Sequence, residues 1–99
     1  HTERLPAMPN VPTFIEHGMK GFTADAWFMV SAPAGTPQPI IDRLYKEIAK
    51  ALPEAEVKAK FDSAGVLPSG IDPKASTAFL NEEIAKWRGV IKTANITLD

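Results

Sequence analysis

Phe22-Thr23-Ala24-Asp25-Ala26-Trp27-Phe28-Met29-Val30-Ser31-Ala32 is the stretch on which the fold turns. Its centre, Trp27-Phe28-Met29-Val30, is apolar at four successive positions. A strand with one wet face alternates apolar and polar residues, whereas a strand buried on both faces reads as a continuous apolar run. The stretch therefore reads as a buried strand, closed by Pro33-Ala34-Gly35. Such a strand needs neighbours on both edges and layers above and below.

Outward from this run the chain has two unlike parts. Residues 1–36 carry only five charges, Glu3, Arg4, Glu16, Lys20 and Asp25, and four prolines, Pro6, Pro9, Pro12 and Pro33. Each proline biases the residue before it toward extended geometry, so residues 5–12 cannot be helical. Thr13 then sits three residues before Glu16, the spacing of a capping box, and Gly18 is placed to stop the short turn between them.

The remaining eighteen charges lie beyond residue 36, where the apolar spacing turns helical. Thr36-Pro37 reads as an N-cap followed by a first-turn proline. Ile41, Leu44, Ile48 and Leu52 then form one stripe, widened by Ile40 and Tyr45. Asp42–Lys46 and Arg43–Glu47 are its i,i+4 pairs. A second helix follows Pro53 with Val57, Phe61 and Ala64 on its narrow face, pairs Glu54–Lys58 and Glu56–Lys60, and Gly65 beyond its end. A third starts at Asp72-Pro73, carries Leu80, Ile84, Trp87 and Ile91 with Phe79 and Val90, and ends where Asn95 suits a left-handed residue. Val66-Leu67-Pro68 and Ile96-Thr97-Leu98 read as strand stubs. The fold class expected is α/β: one long strand, short strands and three main helices, with an incomplete sheet unless something pairs with it.

The chain has 99 residues and a net charge of −1, with 11 basic and 12 acidic side chains. A nucleic-acid module would show a basic excess. With no cysteine there is no disulfide framework and no thiolate chemistry. No apolar run approaches the roughly 20 residues of a membrane span, and the opening His-Thr-Glu-Arg-Leu-Pro is not a signal peptide.

Catalytic and metal constellations are weak. His1 and His17 lack the spacing of a metal pair. Ser31, His17 and Asp25 contain the residue types of a triad, but no Gly-x-Ser-x-Gly elbow accompanies them. Glu82 and Glu83 point in different directions on a helix, and Glu82–Lys86 accounts for one of them. Pro33-Ala34-Gly35-Thr36-Pro37 leads into a helix N-terminus but lacks the residues of a phosphate loop. Trp27 and Trp87 read as core anchors. Asp25 stands before the apolar run with few charges around it, and reads first as a capping residue of its loop.

Three stretches occur in a recognisable order: Leu5-Pro6-Ala7-Met8-Pro9-Asn10-Val11-Pro12-Thr13 with Glu16 and Gly18; Trp27 followed by Ala32-Pro33-Ala34-Gly35-Thr36-Pro37; and Lys86-Trp87-Arg88-Gly89-Val90-Ile91-Lys92-Thr93-Ala94. Gly65-Val66-Leu67-Pro68-Ser69-Gly70 adds a characteristic turn. Together they resemble the C-terminal portion of the substrate-binding proteins of tripartite tricarboxylate transporters, the TctC or Bug family. Asn95 departs from the glycine usual there, and Ala55-Glu56 is an insertion between Pro53-Glu54 and Val57.

The resemblance implies a two-lobed periplasmic binding protein of the type II kind, with ligand between the lobes. Residues 1–24 would end the second lobe. Residues 25–99 would cross the hinge and supply C-terminal helices of the first lobe. The implied function is a non-enzymatic, periplasmic carboxylate receptor, without a cofactor or metal, that delivers its ligand to membrane transporter subunits and binds no nucleic acid. Thr23, Asp25, Ala26, Trp27 and Phe28 would be the residues of this chain nearest the cleft. The alternative is a standalone interaction or oligomerisation module derived from that fold, with self-association of the chain.

Overall fold

The computed structural model describes residues 1–97. They form three helices: α1 (Gln38–Ala51), α2 (Ala55–Ser63) and α3 (Pro73–Thr93). Two compact units follow one another along the chain, His1–Val30 and a second that begins at Ser31.

The first unit contains turns rather than regular elements. The expected capping box is present at Thr13. The Glu16 amide donates to Thr13 Oγ1 at 3.2 Å, and the Thr13 amide donates to Glu16 Oε2 at 2.7 Å. Gly18, at φ 89°, ends the turn. The Met19 amide donates to the Phe14 carbonyl and the Gly18 amide to that of Ile15, both at 3.0 Å. This is the paired bonding of a Schellman cap. Phe14 and Phe22 then meet edge to face, ring centroids 5.2 Å apart.

The α/β expectation fails. No strand forms among the described residues, and Phe22 to Ala32 is irregular chain outside any sheet. A strand exists only through the hydrogen bonds of a ladder, and an apolar pattern cannot supply the partner edge. The predicted burial fails with it: Phe28 is 85% exposed and Val30 81%. Val66-Leu67-Pro68 is likewise not a strand, nor are Ile96 and Thr97, while Leu98 lies outside the described residues. The described chain is helical and irregular.

In the second unit, the turn before α1 explains a smaller correction. The Thr36 amide and its hydroxyl both donate to the Pro33 carbonyl, at 3.2 and 2.8 Å. That turn has Gly35 at φ 83° in its third position, as a type II turn requires. Thr36 is therefore engaged with the turn, and Pro37 takes the N-cap position with no side-chain cap. Pro39, at the second helical position, has no amide to leave unsatisfied. By contrast, α3 starts as its sequence specifies. Asp72 is the N-cap, Pro73 follows, and Asp72 Oδ1 accepts from the Ala75 amide at 2.8 Å.

Two further Schellman caps close α2 and α3. Gly65 at φ 66° and Asn95 at φ 50° are the left-handed residues. The Val66 amide reaches the Phe61 carbonyl at 3.0 Å, and the Ile96 amide reaches that of Ile91 at 3.1 Å. Asn95 thus stands where glycine is usual and adopts the conformation glycine would supply. At all three caps the two positions that frame the motif are apolar: Phe14 and Met19, Phe61 and Val66, Ile91 and Ile96.

α1 and α3 pack together. Ile41, Tyr45 and Leu52 of the predicted stripe are half-buried, as are Phe79 and Leu80 of α3. Leu44, Ile48, Ile84, Trp87, Val90 and Ile91 remain exposed. No described side chain is fully buried, so neither Trp27 nor Trp87 is a core anchor. Burying a large aliphatic or aromatic side chain contributes about 1.5–3 kcal/mol. The helix faces hold much of that potential unspent.

Candidate functional site

The five residues nearest the implied cleft lie on one irregular segment of the first unit. Thr23 is half-buried; Ala26, Trp27 and Phe28 are exposed. The backbone nitrogen of His1 lies 2.8 Å from Asp25 Oδ1, with both residues exposed. The segment therefore brings one carboxylate, one hydroxyl residue and two aromatic rings into sequence proximity. It does not assemble an acid–base pair with a nucleophile.

The best-connected polar cluster lies elsewhere in that unit, and sequence reasoning found only half of it. Arg4 Nε donates to both carboxylate oxygens of Glu16 at 3.0 Å, and Arg4 Nη2 lies 3.0 Å from Oε1. Arg4 Nη1 donates to the Pro9 carbonyl at 3.0 Å. One carboxylate thus closes the capping box on Thr13 and holds the guanidinium. The hydrogen bond from Arg4 lowers the Glu16 pKa below the usual carboxylate range, helped by the Thr13 amide. The Arg4 pKa rises in turn. The Thr13–Glu16 spacing was legible; nothing local marks Arg4, twelve residues from its partner.

On α3, Lys86 pairs with Glu83, whereas the sequence suggested Glu82. Positions three and four apart share a helix face, so both spacings are open to a lysine. Glu83 Oε2 also accepts from Trp87 Nε1 at 2.9 Å, and the Lys86 ammonium sits 5.4 Å from the Trp87 ring centroid. Glu83 is one-eighth exposed in its side chain. On α1, Asp42 Oδ1 accepts from Gln38 Nε2 at 2.8 Å, and Glu47 bridges to Lys50 at 3.2 Å. Of the predicted i,i+4 ion pairs, Glu56–Lys60 is present at 4.0 Å.

Two shallow hollows stand out among the described residues. One, of about 150 Å³, lies beside Arg4, Met8, Val11 and Phe14 in the first unit. The other, of about 390 Å³, runs between the N-terminal halves of α1 and α3 past Asp42, Lys46, Asp72 and Lys74. Neither is lined by Thr23, Asp25, Ala26, Trp27 or Phe28. Among the described residues no cluster of three metal-ligating side chains occurs. No described helix is long and apolar enough to cross a membrane.

Comparison with known proteins matches residues 1–96 to the family described as "Tripartite tricarboxylate transporter family receptor". Protein BugT of Bordetella pertussis is 35% identical over 97 residues, covering 98% of this chain and 30% of BugT. A UPF0065 protein from the tcbD-tcbE intergenic region of Pseudomonas sp. is 33% identical over 90% of the chain and 27% of its own length. A UPF0065 protein from the TAR-I ttuE-ttuC' intergenic region of Agrobacterium vitis is 34% identical over 92% of the chain and 27% of its own length. The chain spans less than a third of the length of each of these relatives. The match runs through the proline-rich arm, the irregular segment and all three helices, and on it the chain belongs to the tripartite tricarboxylate transporter receptor family, whose members are solute-binding receptors rather than enzymes.

Proposed function

We propose that this chain is the C-terminal segment of a periplasmic receptor that captures a small carboxylate and passes it to membrane transporter subunits. The observation that carries the reading is the family match over residues 1–96. The exposed apolar faces of α1 and α3 support it, because they suit a chain whose core is completed by further protein. In this reading residues 1–24 end one lobe and residues 25–99 belong to the other. Thr23, Asp25, Ala26, Trp27 and Phe28 lie toward the cleft between them. Ligand carboxylates would be held mainly by backbone amides and ordered water.

The test is calorimetric titration of two proteins with citrate, dicarboxylates and aromatic acids. One is a receptor of the relatives' length that carries this segment; the other is the 99-residue chain itself. The longer protein is expected to bind at least one acid at micromolar concentration, and the short chain to bind none with comparable affinity. Equal micromolar binding by the short chain would overturn the two-lobe reading. A competing reading, a self-associating module, draws on exposed apolar side chains of the first unit, above all Phe28 and Val30.

A further inference from the structure

We draw no further inference here: the strongest candidate, the exposed apolar surface of the first unit around Phe28 and Val30, carries nothing beyond the proposal above, because nothing in the structure shows what covers it.

Discussion

The guanidinium of Arg4 holds both carboxylate oxygens of Glu16, which in turn accepts the Thr13 amide at 2.7 Å. The arm of residues 4–16 is closed by this one carboxylate. The sign of its pH dependence follows from the lowered Glu16 pKa. A depressed carboxylate stabilises the folded arrangement above its unfolded pKa, and the contribution is lost as pH falls through the folded value. Amide protection across residues 5–13, taken relative to the intrinsic exchange rate at each pH, is therefore expected to hold from neutrality to the usual glutamate range and to fall below it. Glu16→Gln should show the reduced protection already at neutral pH. Identical exchange in the two proteins at pH 7 would show that the clasp orders nothing.

Asp72 caps α3 and Thr36 does not cap α1, although both precede a proline in sequence. Asp72→Ala is expected to cost about 1 kcal/mol of helix stability through the lost bond to the Ala75 amide. Circular dichroism during thermal unfolding measures this directly. Thr36→Ala should cost less, because its hydroxyl bonds within the preceding turn. Equal losses for the two variants would contradict the cap assignment.

Gly70 combines two constraints. Its φ is 59°, and a Cβ built there would lie 3.1 Å from Leu52 Cδ1. Gly65 shares the first constraint alone, with nothing within 4 Å of its added Cβ. A left-handed residue with a Cβ costs roughly 1–2 kcal/mol. Gly70→Ala should therefore destabilise more than Gly65→Ala in urea titrations. Combining Gly70→Ala with Leu52→Ala should relieve only the steric part, which a double-mutant cycle isolates.

Phe28 and Val30 present large apolar surfaces to solvent with no charge between Asp25 and Asp42 to discourage association. Light scattering of the 99-residue chain is expected to show concentration-dependent association. Phe28→Ser with Val30→Thr should shift it toward monomer. Association that persists unchanged in the double variant would locate the sticky surface elsewhere, with the exposed faces of α1 and α3 next to be tested.

What could be read in the sequence follows interaction range. The capping box at Thr13 and Glu16, the Asp72-Pro73 start of α3, and the left-handed ends at Gly18, Gly65 and Asn95 all formed as their residues specify. Each depends on partners within about five residues, so no knowledge of the distant fold is needed. Lysine pairing on α3 was ambiguous because two neighbouring turns offer a carboxylate on the same face. The Arg4–Glu16 clasp was invisible because twelve residues of chain separate its halves.

The run Trp27-Phe28-Met29-Val30 marks the opposite limit. Its composition has the signature of a doubly buried strand, yet hydrogen-bonding partners and covering layers are tertiary facts. The sequence by itself determined three helices, the caps that end α2 and α3 and start α3 but not the start of α1, and the family to which they belong. Only the tertiary structure decided whether the apolar run joins a sheet and which helix faces are covered: here it lies outside any sheet, and α1 and α3 cover each other in part, because burial requires a second surface that no local pattern contains.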